Sequence, residues 1–244
     1  MIAEPVGILF AFLVFLLAGT VKGVTGMGLP TVGVGLLSLI LTPVEAAALI
    51  VVPSLATNLW QAFAGPALKP LVRRLWPMLA GLCVGTAAGA ILPIGAPGAA
   101  AALGGVLALY GALGLAPKLR PRVPLRAEAA LRPVAGLLTG AVTAVTGVFV
   151  IPAAPFLGAL GLERDALVQA LGLSFSVSTV ALAALLAANG SFGGGVGFAS
   201  LLALLPATLG MVLGGALRRA MSPELFRRVF FGGLAALGAH LLLR

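Results

Sequence analysis

Gly19-Thr20-Val21-Lys22-Gly23-Val24-Thr25-Gly26-Met27-Gly28-Leu29-Pro30 interrupts an apolar run with glycines, hydroxyls, one lysine and a proline. A helix entering the stretch from residues 6–24 is expected to break there, and a new one to begin near Thr31. Non-helical backbone inside a membrane is tolerated only where it lines a cavity or is buried in protein, so the break predicts a polar cavity. The free N–H groups and positive dipole end of the new helix suit an anion. The stretch Thr143-Ala144-Val145-Thr146-Gly147-Val148-Phe149-Val150-Ile151-Pro152-Ala153-Ala154-Pro155 repeats the break with fewer glycines and two prolines.

Composition sets the environment. The 244 residues are 61% apolar and 9% charged, with a mean hydropathy of +1.18. A water-soluble domain would lack polar cover at that ratio, so the chain is an all-α integral membrane protein. The apolar runs are continuous, as in spanning helices, and do not alternate as barrel strands do. Cys83 and His240 are the only residues of their types, which excludes a disulfide framework and leaves little for a soft-metal site. No metal or cofactor is expected. The net charge of +9 has no aromatic platform beside it and sits in short clusters between apolar runs, which points to membrane topology and away from nucleic acid. Residues 1–5 carry an acid and no basic region, so the first apolar run reads as a structural element and not as a cleaved signal.

Segments fall near 6–24, 31–42, 44–65, 72–93 and 97–117, then near 133–147, 153–162, 165–189, 196–217 and 224–243. Residues 1–117 form a first repeat, 118–132 a basic linker and 133–244 a second repeat. The linker holds Lys118, Arg120, Arg122, Arg126 and Arg132 against Glu128, with Pro121 and Pro124 to stop a helix. Val24-Thr25-Gly26 matches Val145-Thr146-Gly147 at an offset of 121, while Ser54 matches Ser174 and Asn58 falls on Ser178 at an offset of 120. If 31–42 and 153–162 turn the chain back as arms of re-entrant hairpins, Lys69, Arg73, Arg74, the linker, Arg218, Arg219, Arg227 and Arg228 share one face. Glu4, Glu45 and Arg244 then lie on the other. The bias of basic residues to the cytoplasm favours this arrangement: eight to ten segments in two inverted repeats, termini outside, linker inside. The hairpin tips are expected to meet near the midplane, a plan known from secondary transporters.

Lys22 is the one charged side chain well inside an apolar run, at a cost of roughly 2.5 to 3.5 kcal/mol on insertion scales. A bound anion would offset that, as would snorkelling to the interface. Ser54, Asn58 and Gln61 follow one another at i, i+4 and i+7 on one helical face, and Ser174 and Ser178 do so on the matching segment. Interhelical bonding, or back-bonding to a preceding carbonyl, is the ordinary use of such hydroxyls, whereas an amide facing lipid is costly. No Asp, Glu or His lies at the centre of a run, which argues against a carboxylate proton relay. Gly81, Gly85 and Gly89, with Gly210 and Gly214 opposite, read as close helix packing, and Cys83 as a small side chain within that face.

The stretch Ala18 to Gly28, early in a chain of this length with a degenerate second copy after a basic loop, resembles the sulfite exporter TauE/SafE family, also called TSUP. The resemblance covers essentially the whole chain. It implies a multi-pass protein of the bacterial inner membrane that moves sulfite, sulfoacetate, related sulfonates or organic anions. The candidate contacts for the anion are Lys22, Thr25, Gly26, Met27, Gly28, Ser54, Asn58, Gln61, Thr146, Gly147, Ser174 and Ser178. The second copy, Thr146-Gly147-Val148-Phe149, lacks the Gly-x-Gly of the first. Partners are the small anion and the bilayer, with homo-oligomerisation open. An intramembrane enzyme acting on a lipid phosphate would need an acid, base or arginine in the cavity, and a membrane scaffold would use the same polar residues only to hold helices together.

Overall fold

The computed structural model describes residues 4–89, 91, 98–116, 122–192, 195–220 and 222–243; Lys118, Arg120 and Pro121 of the linker and Arg244 lie outside them. The described residues form helices and no strand. In chain order they are α1 Pro5–Thr25, α2 Leu29–Leu37, α3 Pro43–Phe63, α4 Leu68–Gly89, α5 Ala99–Leu115, α6 Leu125–Thr146, α7 Ala153–Ala159, α8 Arg164–Ala188, α9 Val196–Leu202, α10 Leu204–Ala220 and α11 Pro223–Leu242. Six stretches, namely α1, α3, α6, α8, the α9–α10 pair and α11, are long and apolar enough to cross a membrane. Because α6 starts at Leu125, Arg126, Glu128 and Arg132 lie on a helix, where a proline-broken linker was expected. Pro124 supplies the cap residue before its first turn.

Helix pairing follows one pattern in both halves. The most extensive contacts are α4 with α6, α1 with α10, α5 with α11 and α3 with α8, a set that is unchanged when the two halves are exchanged. α1 and α10 run parallel: a Cβ on Gly19 would strike the Ala207 carbonyl, and one on Gly23 the Met211 carbonyl. α4 and α6 run parallel in the same way, with Gly81 on Pro133 and Gly85 on Leu137. Glycine is required at these contacts because the backbones touch. Gly81, Gly85 and Gly89 therefore pack on α6, and Gly210 and Gly214 on α1, so the two glycine sets do not face each other. Cys83 is exposed, which corrects its expected place in the glycine face: two residues from Gly81 or Gly85 is about 200° around the helix. α5 and α11 are antiparallel, with Gly104 against Gly238 and Gly114 against Phe231.

α2, at nine residues, is ~14 Å long and cannot span. It folds back along α1, since Gly28 lies against Val21 and Gly33 approaches Ala18. α7 is shorter still, at seven residues. α3 begins with the capping box Thr42-x-x-Glu45, in which the Thr42 hydroxyl accepts from the Glu45 N–H at 3.3 Å and Glu45 Oε2 accepts from the Thr42 N–H at 2.9 Å. Traced through these pairings, every described basic residue except Lys22 and His240 lies at one end of the bundle, and Glu4, Glu45 and His240 lie at the other. At the basic end Arg74 holds Glu128 through two bonds of 2.7 Å, and Arg132 donates to the Arg74 carbonyl, so α4 and α6 are tied across the halves.

Candidate functional site

α3 and α8 cross at the centre of the protein as an antiparallel pair. Asn58 Nδ2 donates to Thr179 Oγ1 at 3.3 Å. One turn further along α3, a Cβ on Gly172 would meet Gln61 Cβ at 2.7 Å and the Ala62 nitrogen at 2.6 Å. At the basic end Gln169 Nε2 donates to the carbonyls of Ala62 and Gly65 at 2.7 and 2.6 Å, and its Oε1 accepts from the Ala67 N–H at 2.9 Å. That glutamine caps the end of α3. Its role was not visible in the sequence, because its partners are about a hundred residues away.

Against this pair α1 delivers Lys22. Its side chain is 1% exposed, and Nζ donates to Asn58 Oδ1. No ion pair reaches it among the described residues: the carboxylates that pair there are Glu128 and Glu224, each with arginines. A lysine amine buried beside a neutral amide has no counter-ion among the described residues to offset the desolvation of its charged form. Asn58 is oriented by the pair of bonds it makes, accepting from Lys22 and donating to Thr179, whose own hydroxyl donates to the Phe175 carbonyl at 2.7 Å.

The two helix breaks are built alike. Gly26 and Gly147 adopt left-handed φ of 81° and 71°, which side chains disfavour, and their N–H groups close the last turns onto Lys22 and Thr143. The preceding threonines finish the job. Thr25 Oγ1 donates to the Val21 carbonyl at 2.8 Å and accepts from the Met27 N–H at 3.1 Å; Thr146 Oγ1 donates to the Val142 carbonyl at 2.7 Å and accepts from the Val148 N–H at 3.2 Å. The Thr-Gly pair shared by the halves is thus a helix terminator, and both hydroxyls are occupied by it. Met27 is turned toward α5, its sulfur accepting from the Tyr110 hydroxyl at 2.9 Å. A Cβ on Gly28 would meet Val21, so this glycine lets the hairpin close.

The tips do not meet, in contrast to the expectation from the sequence. Gln61 Nε2 donates to the Gly26 carbonyl at 2.9 Å near the C-terminal end of α3, whereas Gly147 packs on Ala47 near its N-terminal end. Fourteen residues of helix separate those contacts, ~21 Å. Each hairpin runs past the centre and turns beyond it, because the tip carbonyl of the first is held by Gln61 and the second docks on small alanines. Thr146 and Gly147 therefore lie apart from Lys22. The space beside them, lined by Ala47, Val44, Leu182 and Leu186, is about 10 Å³, room for at most one water.

Lys22, Asn58, Gln61 and Gly26 are brought together, and Ser54 lies one turn from Asn58 along α3, whereas Ser174 lies about 200° around α8 from Gly172, the residue set against α3. Both serines are fully buried, and neither hydroxyl has a partner among the described residues. Ser178 is also fully buried but donates to the Ser174 carbonyl at 3.0 Å. Three further groups are buried without partners among the described residues: Gln61 Oε1, the Thr31 hydroxyl in the first turn of α2 and the Ser38 hydroxyl at its end. A groove of about 680 Å³ lies elsewhere, between α3, α4 and α8, lined by Leu59, Cys83, Leu173, Val177 and Val180. Its two hydroxyls, Thr86 and Ser176, are spent on their own helices, so it offers an anion nothing.

The cluster thus centres on a buried lysine amine hydrogen-bonded to an amide, with no carboxylate beside it among the described residues. Comparison with curated proteins gives no match, and neither does comparison with solved structures. The family model described as sulfite exporter TauE/SafE matches residues 11–241, nearly the whole sequence. The chain belongs to the sulfite exporter TauE/SafE family of membrane transporters.

Proposed function

We propose that the protein is a secondary transporter or facilitator for small sulfur-containing anions such as sulfite, sulfoacetate and related sulfonates, working by alternating access of two inverted repeats. The observation that carries this reading is Lys22, fully buried, held by Asn58 and lacking a carboxylate partner among the described residues. A bound anion supplies the missing charge. Asn58 fixes the amine and the serines offer neutral donors, a combination that binds an oxyanion without holding it too tightly to leave. The parallel α1–α10 and α4–α6 pairs support inversion: α4 descends where α3 ascends, so α6, parallel to α4, runs opposite to α1. The basic end is then cytoplasmic, the termini periplasmic and the membrane the bacterial inner one.

A thermal-shift screen in detergent against sulfite, sulfate, thiosulfate, sulfoacetate, taurine, phosphate and acetate tests the reading, since a ligand that binds only the folded state raises the melting temperature. Selective stabilisation by sulfur anions that disappears in Lys22→Ala is expected. Stabilisation that survives the substitution would move the site away from Lys22.

A further inference from the structure

The groove between α3, α4 and α8 has the walls and the width for a hydrocarbon chain. Its floor is α8 from Leu173 to Leu185, ~18 Å of helix, with Leu59 of α3 on one side and Cys83 and Ala87 of α4 on the other. A volume of about 680 Å³ over that length is a mean cross-section of about 40 Å², less than half that of a helix about 10 Å across, so a partner helix is too wide to seat in it. Leu59, Cys83 and Val180 are exposed, and the groove therefore opens sideways, where lipid lies. One of its ends adjoins basic residues. Gln169 of α8 is bonded to Gly65 and Ala67 in the turn between α3 and α4, so Leu173, one turn further along α8, and Leu59, one turn before the end of α3, form a mouth close to that turn. Lys69 and Arg73 stand on the α4 side of the same turn. Cys83, Trp76 and Lys69 repeat at intervals of seven, which keeps them within about 40° on one helix face, and Arg73 lies one turn from Lys69. Both basic side chains are exposed, and neither has an ion pair among the described residues, since it is Arg74 that engages Glu128.

We propose that the groove is a binding site for an acidic phospholipid of the leaflet at the basic end, with one acyl chain laid along α8 between Leu59 and Cys83 and the phosphate outside the mouth on Lys69 and Arg73. Charge chooses the leaflet and the headgroup. The other mouth, at Leu185 and Ala87, opens toward the end that holds Glu4 and Glu45, where a phosphate finds no lysine or arginine among the described residues. A lipid without net charge fills the same apolar walls but gains less from the two cations, and so binds more weakly. Trp76, exposed on the stripe between Cys83 and Lys69, is the kind of amphipathic ring that settles near headgroups. The bound chain fills the space between α3 and α4, which are not packed on each other along their lengths, and it rests on α8, a helix of the other half.

The test places the full chain in phosphatidylcholine vesicles in which a minor share of the lipid is chain-brominated phosphatidylglycerol or, in parallel, chain-brominated phosphatidylcholine, and reads quenching of tryptophan fluorescence. Trp60 and Trp76 are the only tryptophans of the chain, so Trp60→Phe leaves Trp76 as the reporter, two turns from Cys83 on the same face. Phosphatidylglycerol is expected to be enriched about fivefold over phosphatidylcholine beside Trp76, and to slow maleimide labelling of Cys83 by a similar factor. Lys69→Gln with Arg73→Gln changes exposed side chains alone and should bring the enrichment below about twofold. Val177→Phe, which fills the groove and leaves both charges in place, should do the same. Equal quenching by the two lipids, or a preference for phosphatidylglycerol that survives in both variants, would overturn the proposal. Cross-linking of Cys83 to Cys83 between two copies, in a yield that phosphatidylglycerol does not lower, would assign the groove to a second copy and overturn it as well.

Discussion

Ser200 of α9 fills the place of a hydrogen bond that Pro53 cannot make. Proline lacks an N–H, so Pro53 inside α3 orphans the carbonyl of Leu49 four residues back. The Ser200 hydroxyl donates to that carbonyl at 2.8 Å and accepts from the Val52 N–H at 3.1 Å. Ser200 is fully buried, and its bonds pin α9 to the kink in α3, a turn from Ser54 and the central cluster. Ser200→Ala leaves a buried carbonyl unsatisfied and is expected to cost about 1–2 kcal/mol. The measurement is a double-mutant cycle with Pro53→Ala, which returns an N–H to the helix: the cost of Ser200→Ala should shrink in that background. Additive effects would show that the serine and the proline are not coupled.

Asn58→Asp tests the charge logic of the site from the protein's side. The substitution sets a carboxylate against Lys22 where the amide oxygen now sits, with little change of shape. A built-in counter-ion should raise the melting temperature without anions and abolish the additional stabilisation by sulfite, because the cation is already paired. If sulfite stabilises Asn58→Asp as strongly as the unmodified protein, Lys22 does not contact the anion.

Much of this was legible in the sequence, and the reason differs by element. Spanning helices were visible because each is encoded by a continuous apolar run, and the breaks at Gly26 and Gly147 because Thr-Gly is a local device whose bonds reach only two to four residues. Lys22 stood out as a lone charge, and Asn58 by its spacing. What escaped were contacts between distant segments. Thr179 orients Asn58 from 121 residues away, and Ser200 repairs α3 from 148 residues away. The depth of each hairpin escaped for the same reason: where a tip stops depends on Gln61 and Ala47, neither of which is near it in the chain. Cys83 was misplaced because a glycine spacing of four marks one helical face, and a residue between two of those glycines need not share it.

Gln61 fixes the first tip through one bond, from Nε2 to the Gly26 carbonyl, while its Oε1 has no partner among the described residues. Removing the side chain should release the tip but leave the helices in place, since α1 remains packed on α10 along its length. Hydrogen exchange on Gln61→Ala is expected to rise about tenfold or more at residues 26–29 and to stay unchanged in α3 and α8. Exchange that rises evenly across α3 would mean that the glutamine stabilises the bundle as a whole and not the tip.

A buried pair kept for a ligand differs from one kept for the fold in what its removal does to stability. Lys22 and Asn58 bury two polar groups that satisfy each other only in part, and membrane helices pack well without such pairs. Replacing a buried polar or ionic pair by apolar groups of like volume is often neutral or stabilising, whereas removing one partner is costly. Lys22→Met with Asn58→Leu should therefore melt at or above the temperature of the unmodified protein while losing all response to sulfite. Each single substitution should melt lower, Lys22→Met by stranding the amide oxygen and Asn58→Leu by stranding the cation. A double variant that unfolds at lower temperature than either single one would assign the pair to structure. A stable double variant without anion response means that the protein tolerates a strained, unpaired cation at its centre because the anion it moves completes the pair.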